Sequence, residues 1–560
     1  MCSLRLCLVA AVAVAALSCG GSAPQPAALS SRWSAPSILA EVPADAPYLF
    51  ALLEPMNDAV RRRLMQNFDR QIAQGMKDLE KLRDGDPAKI EPWMRAVLAI
   101  LGDMRNKGMA NWFDELGIDP HGRSVLYGMS LWPVVRIELN NPAKLRAAIT
   151  RAMTAAGVQP GPQRTLEGRS YWRSTNGEFT FVAGVLDREA VAAILPTASV
   201  DAALPEVLGI RPPGRSLAST PTVPELLARH RFLGLMLGYL DAHRVIDVLT
   251  GAQPRPLDLP IRAATGSVAP ACRADLDRLA AAMPRLVFGY HRFDDTGFDG
   301  SMVLETPAAT VAALRKLHAV VPEVNPRPAG HPLFAMGVAL EPDQLIAWLQ
   351  DQTRELHDHP FGCPWFTDLD EAAAKLSQKL ATPLPPLWRG LRGLAVTIDD
   401  AAFLPPSVTG HVLIAGERVA DLVKSLVGQV PAIAGIPLVS DGKPVALPTR
   451  QLKIPVPAHF ALTTDRLVIA AGEGSEHRVT EHLATAAPKA SPLLTMQFDV
   501  PRIQQIAAMF GESPVDGFGS LGDVGMGLDV GDAGVAFDVW GTWQPVQPAP
   551  AQIATPPARP

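Results

Sequence analysis

The densest group of side chains able to do chemistry is His357-Asp358-His359 with Cys363, four residues beyond. Two imidazoles and a thiolate suit zinc or copper, and Pro360 and Pro364 would stiffen the loop that carries them. Histidines at i and i+2 must, however, share a suitable backbone conformation, and no fourth ligand stands nearby. The run Phe361-Gly362-Cys363-Pro364-Trp365-Phe366 reads better as a packed anchor beside surface histidines. The expectation is therefore no metal and no cofactor, with His357, His359 and Cys363 as the candidates if one is held.

Other constellations carry less. Asp294-Asp295-Thr296-Gly297-Phe298-Asp299-Gly300 gathers carboxylates but lacks the length and closing glutamate of a calcium loop. It reads as a hairpin turn, where Asp and Gly tolerate unusual φ. In Gly517-Phe518-Gly519-Ser520-Leu521-Gly522, Phe518 stands where a nucleophile elbow needs glycine. The chain has neither a G-x-x-x-x-G-K phosphate loop nor an H-E-x-x-H helix. Its 12 histidines show no catalytic spacing. No catalytic residue is assigned.

The five cysteines divide by position. Arg5 precedes an apolar run over residues 6–17, broken only by Cys7, and Ser18-Cys19-Gly20 follows. That is the layout of a secretory signal. Twelve residues fall short of the roughly 20 needed to cross a bilayer. The small residue and cysteine at its end resemble the lipobox of bacterial lipoproteins, although Ala16 and Leu17 depart from the usual pattern. The resemblance implies that Cys19 becomes the first mature residue and carries acyl chains. The alternative is an ordinary signal cut nearby. Gly20 in place of Asp resembles the outer-membrane class of enterobacterial lipoproteins. Cys2 and Cys7 leave with the signal, so only Cys272 and Cys363 remain. Two cysteines 91 positions apart do not make a disulfide framework, and two separate thiols, at least one buried, are the favoured reading over a pair.

At 560 residues, 48% hydrophobic and 19% charged, the chain can build more than one substantial core. Net charge is −5 (51 Lys+Arg against 56 Asp+Glu), without a concentrated basic surface, so nucleic acid is not an expected partner. The divisions expected are a signal peptide at 1–18, a flexible Gly/Ser/Ala/Pro tether at 19–40, folded units at 41–326 and 327–545, and a disordered Pro-rich tail at 546–560.

Within the folded part, apolar strands repeatedly end in an acidic residue or Asn, often before Pro, and helical spacing begins at once. Examples end at Glu54, Asn140, Asp187, Asp241, Glu305, Glu341, Glu417 and Asp499. Short polar side chains accept from the free N–H groups of a first helical turn, and Pro there wastes no donor. Leu145, Ile149 and Met153, or Leu345, Trp348 and Leu349, supply the apolar faces. The units recur in order: Ala46-Pro47-Tyr48-Leu49-Phe50 is matched by His331-Pro332-Leu333-Phe334-Ala335, and closing hairpins near 286–304 and 524–540 match each other. The fold class expected is α+β, two tandem related halves, each a largely antiparallel sheet with helices on one face.

The opening phrase Val42-Pro43-Ala44-Asp45-Ala46-Pro47-Tyr48-Leu49-Phe50 resembles the start of uncharacterised Gram-negative lipoproteins with a duplicated domain of unknown function. The resemblance implies a secreted, duplicated α+β protein and carries no activity with it. The functional expectation is an exported, lipid-anchored periplasmic or outer-membrane protein. It binds or supports, without catalysis, and its one defined partner is the membrane, reached through its anchor. The alternatives are a carrier of a hydrophobic ligand and a hydrolase with an unrecognised site.

Overall fold

The computed structural model describes residues 35–63, 65, 106–155, 163–266, 268–403, 406–427, 435–510 and 521–544. The signal segment, Cys19, the run 517–520 and the Pro-rich tail lie outside the described residues.

In chain order the described strands are β1 (Tyr48–Leu52), β2 (Ser124–Met129), β3 (Trp132–Glu138), β4 (Arg164–Leu166), β5 (Arg169–Asn176), β6 (Phe179–Val185), β7 (Glu189–Pro196), β8 (Leu237–Asp241), β9 (Arg285–Phe293) and β10 (Gly297–Glu305). They continue as β11 (Phe334–Ala339), β12 (Leu391–Phe403), β13 (Pro406–Gly416), β14 (Val445–Ala446), β15 (Ala458–Leu462), β16 (Arg466–Ala471), β17 (Leu494–Asp499), β18 (Leu521–Val530) and β19 (Gly534–Trp543). All nineteen join one sheet, and every pairing is antiparallel. β1 lies between β2 and β8, and pairing continues from β2 to β3, β7, β6, β5 and β4. From β8 it passes to β9 and β10, and β10 pairs with β19 along its whole length. Beyond that pair come β18, β17 and β11, and then β12, β13, β16, β15 and β14. The fold is α+β, a large antiparallel sheet with packed helices.

Period-two alternation explains which residues go inward. Leu49 and Ala51 of β1 are buried while their neighbours are half-exposed. Leu49 stands opposite both Tyr127 and Tyr239, and Ala51 opposite Val125 and Leu237, so one core is continuous across three strands. Burying a side chain of this size contributes about 1.5–3 kcal/mol, enough to fix register, since a one-residue slip would expose the whole set.

Several expectations hold at the level of elements. Asp241 and Asp499 cap the helices Ala242–Thr250 and Val500–Met509, accepting from the backbone N–H of Arg244 at 3.2 Å and Arg502 at 3.0 Å. Helices Pro142–Ala155 and Pro342–Asp358 follow Asn140 and Glu341. Both closing hairpins form, and Asp294 Oδ1 accepts from the N–H groups of Thr296 and Gly297 in the first.

Others are corrected. Asp187 starts no helix: the chain turns back into β7, and the carboxylate pairs with Arg169 at 2.8 Å. Residues 37–41 form a 3-10 turn whose Ile38 and Leu39 belong to the core, so packing begins inside the segment assigned to the tether. Helices do not keep to one face. Val479 of helix Ser475–Leu483 packs with Leu413, Val468 and Ala470, whereas Val419 and Ala420 of helix Val419–Val427 pack with Ile414, Leu467 and Ile469 on the opposite face. Strands covered on both sides lose their polar alternation.

Cys272 and Cys363 form a disulfide, where two separate thiols were expected. It ties helix Pro270–Ala282 to the turn after helix Pro342–Asp358. The Asp275 carboxylate, one turn from Cys272, accepts the Cys363 N–H at 2.9 Å and holds the two segments in place. Distance along the chain says nothing about this contact, which the sheet creates.

Candidate functional site

Three residues remote in sequence meet inside the second half. Glu323 sits in the segment between helix Ala308–Arg315 and β11, flanked by the buried Val321 and Val324, with φ +66°. A non-glycine residue in that region is uncommon and costs free energy that the surroundings must supply. His411 is on β13, opposite Thr397 of β12 and Ala470 of β16. His482 lies in the last turn of helix Ser475–Leu483, packed over the same strands.

Glu323 bridges the two rings. Its Oε2 lies 2.6 Å from His411 Nε2 and its Oε1 2.6 Å from His482 Nδ1. The rings stack with centroids 3.5 Å apart and planes inclined at 20°. The side chains are 14%, 5% and 21% exposed for Glu323, His411 and His482, so the cluster is largely withdrawn from water. Burial alone would raise the Glu323 carboxyl; hydrogen bonds from both histidines outweigh it and bring the group down to about 2. For His482 burial acts downward, and the bond to Glu323 leaves its pKa above the usual histidine value. His411 Nδ1 is buried without a hydrogen-bond partner. Beside the cluster, Arg478 pairs with Asp399 at 3.4 Å and donates to the carbonyl of Ala471. One donor atom from each of Glu323, His411 and His482 falls within 4.8 Å of the others, the spacing of a small ligand set.

The candidates named from sequence are not brought together. His357 and His359 are exposed, at the end of helix Pro342–Asp358 and just past it, and the His359 carbonyl accepts from Arg278 at 2.6 Å. The Cys363 sulfur is committed to the disulfide and cannot act as a thiolate ligand. The anchor reading fits Phe361, which lies 4.9 Å from Phe366 and carries the Arg278 guanidinium 4.3 Å above its ring.

Two further polar clusters resemble catalytic groups and differ in geometry. Ser301 Oγ lies between His291 Nε2 (2.7 Å) and Asp538 Oδ1 (2.5 Å). A nucleophilic triad needs the histidine in the middle; here the hydroxyl donates to the carboxylate and ties β10 to β19. Arg136, with no exposed side-chain surface, reaches Glu189 at 2.7 Å and the carbonyls of Glu206 and Val207 at 3.2 and 2.8 Å. It thereby satisfies the end of helix Val200–Val207.

The first half also contains an open cleft of about 600 Å³, lined by Asp45, Ser130, Glu206, Arg215, Arg244 and Arg255 among others. Its size is that of a small-molecule site, and its wall sets these charged groups among apolar ones such as Met129, Ala203 and Leu257. Among the described residues no helix is long and apolar enough to cross a membrane.

Sequence inspection missed the Glu323 cluster because its members are separated by 88 and 71 positions and form no motif. The one local signal was polarity in apolar runs: Glu323 within Val320-Val321-Pro322-Glu323-Val324, and His411 within Val408-Thr409-Gly410-His411-Val412-Leu413. No family model, curated protein or solved structure matches this chain.

Proposed function

We propose that this is an exported, lipid-anchored cell-envelope protein that binds or braces without catalysis, made of two related halves. The observation that carries export is the Cys272–Cys363 disulfide, a bond that persists in oxidising compartments and is rare where thiols are kept reduced. It agrees with the secretory layout of residues 1–18 and with acylation of Cys19.

Duplication is supported by pairing. β1 between β2 and β8 corresponds to β11 between β12 and β17; β2–β3–β7–β6–β5 to β12–β13–β16–β15–β14; and β8–β9–β10 to β17–β18–β19. The antiparallel β10–β19 seam relates the halves by an approximate two-fold axis. The correspondence extends to register. Aligned on the Asp241 and Asp499 caps, one residue away from the sequence match of Leu49 with Phe334, Leu49↔Tyr127↔Val134 in the first half answers to Ala335↔Thr397↔His411 in the second.

Fractionation tests the reading. Wild-type protein should take up a fatty-acid analogue and sediment with membranes, whereas Cys19→Ser should lose both label and membrane association. Wild-type protein that stays unlabelled and soluble overturns it.

A further inference from the structure

We propose that Glu323, His411 and His482 are the ligands of a divalent transition-metal ion, zinc foremost, which pins residues 317–326 to β13 and helix Ser475–Leu483. Two imidazole nitrogens and one carboxylate oxygen are a standard donor set for such ions. These three arrive from separate elements and already converge within 4.8 Å.

Each imidazole, even when neutral, has an N–H to give Glu323, and the rings stack at 3.5 Å, a separation that disfavours charging both in a water-poor interior. The nearby charges, Asp399 and Arg478, already offset each other, leaving Glu481 as the other acid near His482. With a divalent ion between the three groups, both rings are neutral, His411 Nε2 and His482 Nδ1 give lone pairs to the ion instead of protons to Glu323, and the carboxylate balances part of its charge. The remaining coordination positions are open to water or a bound group. Ligand distances of about 2.0–2.2 Å to a central ion require the donors to spread from their present 2.6 Å contacts and the stacked rings to turn apart, so that the ion lies in both ring planes.

The ladder correspondence reinforces the point. The position of His411 is held by Val134 in the first half, a member of the same buried apolar core as Leu39, Val42 and Val200. The second half places at that position an imidazole that meets the Glu323 carboxylate. A core that only had to pack would have no use for a histidine whose Nδ1 finds no partner.

The test uses untagged full-length protein, stripped with a chelator and titrated with Zn²⁺ or Co²⁺. Wild type should bind one equivalent, release protons on binding, show visible Co²⁺ absorption and melt at a higher temperature with Zn²⁺. His482→Ala, at the partly exposed edge of the cluster, should abolish stoichiometric binding without unfolding the chain, and Glu323→Gln should weaken it at least tenfold. The pair His357→Ala/His359→Ala should bind as wild type does. Absence of a Co²⁺ spectrum and of a melting shift in wild type overturns the site, and so does one-equivalent binding that survives in His482→Ala.

Discussion

The Cys272–Cys363 bond gives the most quantitative prediction. It closes a loop of 91 positions, and the chain-entropy relation, 2.1 + 1.5R ln n cal/mol/K, gives about 15.5 cal/mol/K, or about 4.6 kcal/mol at 25 °C. That figure is an upper value, because denatured chains keep residual structure. A loss of about 2–5 kcal/mol is the expected range. The perturbation is Cys272→Ser/Cys363→Ser, compared with wild type treated with reductant. Urea unfolding followed by tryptophan fluorescence should show the double variant and the reduced wild type sharing one lowered midpoint, both below the oxidised protein. Thiol titration of the mature protein in denaturant should find neither cysteine free. Two reactive thiols, or midpoints that ignore reductant, would refute the bond and with it the structural argument for export.

Three other outcomes follow from buried charge and from packing. Arg136→Met leaves Glu189 and the carbonyls of Glu206 and Val207 without their donor, and should cost about 3–5 kcal/mol by urea unfolding; a change under 1 kcal/mol would show that the helix end finds other partners. For Glu305, burial acts upward, but the hydrogen bond with His230 and the charges of Arg285 and Arg229 leave the carboxyl below its usual 4.5. Its folded value is depressed, so its contribution is present above about pH 5 and fades as acid titrates it; Glu305→Gln should flatten the acid limb of a stability–pH curve, and an unchanged limb would contradict this. Leu49→Ala should cost about 2–5 kcal/mol, since its side chain has no exposed surface and fills the core shared by β1, β2 and β8.

How much of this was legible depends on the range of the interaction. Asp241 and Asp499 could be read as helix starts because a cap acts over three residues. The hairpin at Asp294 could be read because an Asx turn is local. β7 was lost because Asp187 looks like a cap when it terminates a strand, and only pairing with β3 and β6 shows that the chain reverses there. Helices were expected on one face because β13 and β16 are apolar on both sides, which removes the alternation that would have signalled two layers. The disulfide and the Glu323 cluster depend on contacts across 91, 88 and 159 positions. His357 and His359 drew notice because they are adjacent in sequence, whereas the histidines that do converge come from a strand and a helix 71 positions apart.

The most direct test of the central claim is the intact mass and N-terminal sequence of the mature protein taken from native membranes. Export with anchoring predicts a chain that begins at Cys19, heavier than its amino-acid mass by its acyl groups. A chain that retains residues 1–18, or one that begins elsewhere without acyl mass, would contradict it.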